Sequence, residues 1–179
     1  ERVRQTSSFS DLALSPDGRK VAFVARGDVF AASVKDAGDA ARVTDTASLE
    51  SQPVWAPDSR RLAYVSASPA GQQIRLHDFG TNVSTALTSG AAADLSPVFS
   101  PDGKQLAFLR DRKALHVMDL AAGSDRVVAT GVFADTIAAP VPVWSPDGRW
   151  IALGAIGAKR FTNVELVPDL RSCLRMRGN

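Results

Sequence analysis

The stretch SPDGRKVAFVA, residues 15–25, decides how this 179-residue chain is read, because near-copies of it return three times. They are APDSRRLAYVS at 56–66, SPDGKQLAFLR at 100–110 and SPDGRWIALGA at 145–155. The prolines of the repeated turn, Pro16, Pro57, Pro101 and Pro146, recur at intervals of 41, 44 and 45 residues. Self-similarity at that period marks a repeat architecture, and four-stranded propeller blades fall in this range. The copies also agree position by position. Five residues after each proline stand Val21, Leu62, Leu106 and Ile151, followed by Ala22, Ala63, Ala107 and Ala152. Two residues before each proline stand Leu14, Trp55, Phe99 and Trp144.

The turn has a simple physical reading. Proline presets φ for the first corner, and the aspartates Asp17, Asp58, Asp102 and Asp147 can accept hydrogen bonds from nearby backbone amides. Gly18, Gly103 and Gly148 tolerate positive φ, whereas Ser59 takes that place in the second copy. A left-handed serine there costs about 1 kcal/mol. Because these aspartates recur with the same turn partners, they read as turn structure and not as a ring of metal ligands.

The run after each turn is apolar at successive positions, as expected of a strand covered on both faces. The alanine within it predicts a crowded position. Further strand-like stretches follow: GDVFAASVK and ARVTDTA, QQIRLHDF and VSTALTS, KALHVMDL and DRVVAT, and FTNVELV in the last copy. Hairpin-linked strands in sets of four, stacked radially, make a β-propeller. The expected fold is therefore all-β, a half-ring of about four four-stranded blades. Homodimerisation would complete it to about eight.

The propeller is expected to span 1–168, with blades around 9–48, 49–92, 93–137 and 138–168. Residues 2–8 resemble the outer strand near Arg42 and would complete a blade as an outer strand. Residues 169–179 read as an atypical basic tail, and the opening ERVRQTSS is unlike a signal peptide, so the expectation is either a removed leader or an excerpt of a longer chain.

Composition narrows the classes. Apolar residues make up 45% and charged residues 22% of the chain, the profile of a globular domain. The formal net charge is +2, with basic residues scattered except at Arg171, Arg175 and Arg177, so no nucleic-acid partner is expected. No apolar run approaches the length of a membrane helix. A lone cysteine, Cys173, allows no internal disulfide.

The S-P-D-G turn followed by a buried strand, repeated at this period, resembles the PD40 (WD40-like) propeller repeats of TolB and of tricorn-type S41 proteases. The phrases ESQPVWAPDSRRLAYVSA and LSPVFSPDGKQLAFLRD resemble the N-terminal propeller of the tricorn-like group most. That resemblance implies a module that gates or binds while catalysis resides in a separate domain, and it implies a periplasmic or secreted bacterial setting.

No catalytic motif is present: no G-x-S-x-G elbow, no phosphate-binding loop, no H-E-x-x-H helix. The candidate ligand-binding residues precede the innermost strands, where loops approach a propeller channel. Asp11 and Gln52 share one repeat position, and Glu50, Asp94 and Asp135 lie in nearby connections. Converging carboxylates suit a hard divalent cation. His77 and His116, on the third strands of their blades with the same side-chain parity, are the weaker metal candidates. Two functional readings follow. The first is a non-catalytic scaffold that binds a peptide or protein, needs no cofactor for its fold and associates with a second copy. The second is a small metal-dependent ester or phosphoester hydrolase using the assembled channel.

Overall fold

The computed structural model describes residues 9–35, 39–131, 141–156 and 162–168. Among them the chain forms four antiparallel sheets with no helix. The first holds β1 (Phe9–Leu14), β2 (Lys20–Ala25), β3 (Asp28–Ser33) and β4 (Ala41–Arg42), in that order. The second holds β5 (Leu49–Trp55), β6 (Arg61–Ser68), β7 (Gly71–Asp78) and β8 (Val83–Ala86). The third holds β9 (Asp94–Phe99), β10 (Gln105–Arg110), β11 (Ala114–Asp119) and β12 (Ser124–Thr130). The fourth pairs β13 (Val143–Trp144), β14 (Trp150–Ile156) and β15 (Thr162–Pro168). Each repeat is thus one up-and-down blade, as the spacing predicts. The outer strand expected at 2–8, Asp135 and the tail 169–179 lie outside the described residues.

Each proline turn links the first strand of its blade to the second. Ser15 Oγ donates to Asp17 Oδ1 at 2.6 Å and accepts from the Lys20 amide at 2.9 Å, while the Gly18 amide donates to Ser15 O at 2.8 Å. The same set recurs around Ser100–Asp102 and Ser145–Asp147. In Asp17 and Asp147 the serine hydroxyl, then the Arg19 or Arg149 amide, holds the carboxyl below its ordinary value. The second copy has Ala56 where the others have serine. There Asp58 turns instead to the amides of Arg60 and Arg61 and to Arg61 Nε, at 2.6 Å. Ser59 takes φ 55°, the left-handed value that glycine holds in the other copies. Its hydroxyl accepts from the Asp17 amide at 3.1 Å, which returns part of that strain.

Side chains on the second strand of each blade alternate between two neighbours, and this alternation builds the core. One face carries small residues: Ala22 and Val24, Ala63 and Val65, Ala107 and Leu109. The other carries larger ones: Leu62 and Tyr64, Leu106 and Phe108, Ile151 and Leu153. The small face of each blade packs on the large face of the next. Ala22 and Val24 meet Trp55, Leu62 and Tyr64. Ala63 and Val65 meet Phe99, Leu106 and Phe108. Ala107 and Leu109 meet Trp144, Ile151 and Leu153. The repeating alanine is small because an aromatic or branched side chain of the next blade lies against it. Burying each such large side chain contributes roughly 2–3 kcal/mol.

Polar contacts stitch the same junctions. The Trp55 indole donates to Ala13 O at 3.1 Å, and that of Trp144 donates to Val98 O at 3.3 Å, one blade back in each case. Four residues after the turn proline, Lys20 and Arg61 reach forward. Lys20 Nζ donates to Ser59 O at 3.0 Å and lies over the Trp55 ring. Arg61 donates to Gly103 O at 3.1 Å and lies over Phe99.

Candidate functional site

The innermost strands share an irregularity five residues before the turn proline. Pairing with the second strand slips at Ser10–Ala13, at Ser51–Val54 and opposite Ala107–Leu109, giving a β-bulge in each of the first three blades. At the bulges Asp11, Gln52 and Ser96 adopt φ values of 52°, 54° and 54°. Holding a non-glycine residue there costs about 1 kcal/mol each, and the bulge turns the side chain toward the following blade. Asp11 Oδ2 accepts from the Gln52 amide at 3.0 Å, and Gln52 Oε1 accepts from the Ser96 amide at 2.6 Å. The result is a ladder across three blades in which each side chain caps the next backbone. At the fourth blade the equivalent residue is Val141. Ser96 Oγ is buried and has no hydrogen-bond partner among the described residues.

This ladder floors a groove of about 540 Å³ along the inner rim. Pro53, Pro97 and Val98 supply apolar wall, and Arg112, itself left-handed at φ 54°, stands at its edge. Of the residues singled out in the sequence, Asp11 and Gln52 do meet here. Ser96 belongs with them, and its place five residues before Pro101 is a signal that polarity alone does not give. Arg112 carries no signal in the repeat.

Glu50 and Asp94 also occupy one repeat position, but they do not converge on a channel. Glu50 is buried, and accepts from Thr46 Oγ1 at 2.7 Å, Ser66 Oγ at 3.3 Å and Thr44 Oγ1 at 3.4 Å. It ties the first blade's exit to the second blade. Asp94 is 1% exposed and is clasped by Arg110 through Nε at 2.8 Å and Nη2 at 3.1 Å. That bond, chiefly, raises the Arg110 pKa above its ordinary value.

The two histidines are engaged separately, one per blade. His77 Nδ1 lies 3.0 Å from Ser84 Oγ, with the ring edge-on to Phe79. Burial pushes its pKa below the ordinary 6.5 against the opposing charge of Asp78. His116 Nδ1 lies 2.5 Å from Asp125 Oδ2, and its ring stacks on Phe108 at 5.3 Å. Among the described residues no three His, Cys, Asp or Glu side chains stand together as a metal would require. The donor set does not fit a divalent cation at the rim. Glu50 is engaged by hydroxyls and Asp94 by a guanidinium, so among the described residues Asp11 has no second carboxylate beside it to share a cation.

Three four-stranded antiparallel sheets and one described with three strands, each with an S-P-D-G-type turn between its first two strands and stacked small face on large, define a β-propeller. Residues 30–156 match the family described as PD40, TolB beta propeller domain, and the chain belongs to that family. Among solved structures it is similar to TolB from Acinetobacter baumannii, with TM-score 0.73, 21% identity, and 89% of this chain and 41% of that one covered. It is similar to the tricorn protease, with TM-score 0.69, 18% identity and 90% and 16% covered. An oligogalacturonate lyase in complex with manganese gives TM-score 0.70, 19% identity and 84% and 45% covered. These likenesses concern the fold, and the chain spans less than half the length of each of the three. Among curated proteins no sequence relative matches.

Proposed function

We propose that the chain is a non-catalytic binding scaffold whose inner-rim groove takes an extended segment of a peptide or protein, and that a second copy completes its ring. The observation that carries the binding reading is the ladder. Asp11 Oδ2 and Gln52 Oε1 hold backbone of the following blade, Ser96 Oγ is buried, and the groove above them has an apolar wall with Arg112 at its rim. Such a surface offers apolar contact and one cation at its edge, which suits an extended segment bearing a carboxylate. Its resemblance to TolB and tricorn-type propellers supports the same reading and a periplasmic or secreted setting. The metal-dependent hydrolase reading is weaker, because Glu50 and Asp94 already have partners.

The test is a ¹⁵N-resolved titration with a pool of random decapeptides enriched in Glu and Pro. The expected result is shifts concentrated at Asp11, Gln52, Ser96 and Arg112, reduced about tenfold in apparent affinity by Arg112→Glu. Peptide-independent spectra, or turnover of p-nitrophenyl esters that chelation abolishes and one divalent metal restores, would overturn it.

A further inference from the structure

The junctions between blades follow one rule, and two faces of the described chain are its unmatched halves. Along every junction a small face receives the large face of the following blade, and at the first two junctions a cation four residues past one proline meets an aromatic two residues before the next, a place that Gln105 holds at the third. The large face of the first blade has no blade against it among the described residues. It presents Leu14, 61% exposed, and Phe9, 58% exposed, beside Phe23. The small face of the fourth blade is likewise unmatched, and it presents Trp150, 43% exposed, with Ala152 and Gly154 only half-buried.

The substitutions at these two faces correspond. Trp150 stands where Lys20 and Arg61 place a cation, and Leu14 stands where Trp55, Phe99 and Trp144 place an aromatic. An apolar pair thus stands where the three internal junctions set a polar residue (Lys20, Arg61 or Gln105) against an aromatic one. Trp150 also keeps an N–H donor at the position from which Lys20 and Arg61 donate to the next turn's carbonyl. Val141, at the ladder position, is 61% exposed and apolar as well. A cation in place of Trp150 would suit water; an indole beside an alanine face suits an aliphatic partner.

We propose that the occupant of each face is a second copy of this chain, with the fourth blade of one copy stacked on the first blade of the other so that Trp150 lies over the partner copy's Leu14. Two such junctions related by a two-fold axis close a dimer. This rests on the self-association part of the reading above and specifies its surface.

The experiment is light scattering on the size-exclusion peak of the 179-residue chain and of three variants. The wild type is expected at twice its 18.9 kDa. Leu14→Glu and Trp150→Lys each put a charge against an apolar face and weaken association on the order of a hundredfold. The double variant places Lys over Glu in the same contact and recovers the dimer in low salt. Both sites are exposed, so circular dichroism should show the fold retained in each. Tryptophan emission gives an independent readout. Trp55 and Trp144 are buried within the chain, so the red shift on diluting the dimer reports Trp150. A single-chain mass for the wild type overturns the self-association reading with this surface. A dimer indifferent to Leu14→Glu, or a double variant that stays at single-chain mass, overturns this surface alone.

Discussion

The first and third blades have the same internal plan and different surroundings. In the third, Phe108 is fully buried between neighbours, and Phe99 is 6% exposed. In the first, Phe23 at the same position is half-buried, covered by Phe9 and Phe30 of its own sheet, and Leu14 stands in solvent. Backbone pairing is equally regular in both, with six consecutive pairs between second and third strands. A blade's strand-pairing hydrogen bonds are therefore its own, while most of its apolar stabilisation is borrowed from its neighbours. Neither face can be buried within a single sheet.

Paired substitutions sharpen this contrast. Phe108→Ala should cost about 3–5 kcal/mol and Phe23→Ala about 1–2, measured by urea unfolding of the unassociated chain. Equal losses would mean that stacking contributes little. Among charges, Arg110→Ala leaves Asp94 buried without its partner and should cost about 2–3 kcal/mol. Arg42→Ala removes a pair to Asp28 and Asp45 at the exposed edge of the first blade and should cost under about 0.5.

These pairs also mark what could be read from residues alone. The prolines set the blade period, and the alanine row together with the alternation around it announced two covered faces. The Asp11–Gln52 equivalence was legible in the same register. The roles of Glu50 and Asp94 were not. Their partners, Thr44, Thr46 and Ser66 for one and Arg110 for the other, approach only through strand pairing and the crossing from one blade to the next. Carboxylates near a propeller axis look alike in sequence whether they face solvent or a guanidinium. Ser96 was hidden for a different reason: within SPVF it looks like an ordinary strand serine, and only the bulge directs it to the rim.

Smaller effects probe the turns. Gly103→Ser should cost about 1 kcal/mol, since φ is 67° and an added Cβ meets Arg61 and Pro57 at 3.4 Å. Ser59→Gly should change stability by less than about 0.5 kcal/mol, because relief of the left-handed serine is offset by loss of the bond from the Asp17 amide. A large loss there would show the hydroxyl bond dominating the strain.

The smallest expected effect is a pH dependence. The folded pKa of His77 lies below its ordinary 6.5, so the unfolded chain binds the proton more readily. Its contribution is intact above pH 6.5 and is lost as pH falls from 6.5 toward the lower folded value. Asp17, Asp58 and Asp147 are also lowered, from 3.8, so their contribution persists above 3.8 and fades below it. In urea midpoints taken against pH, the difference between wild type and His77→Gln should change only in the upper window. A difference that is flat across pH 6.5 would contradict the assignment.

Native-state hydrogen exchange, comparing β2 with β10 in dilute chain, tests most directly the claim that blades borrow their stability from neighbours. Amides of β10 should exchange only through global unfolding, while those of β2 should open at a free energy lower by about 1–3 kcal/mol. Under the stacking of copies proposed above, raising the concentration should bring β2 toward β10. Equal protection of β2 and β10 in the dilute chain would contradict the account, for a blade with one uncovered face would then be as stable as a blade stacked on both.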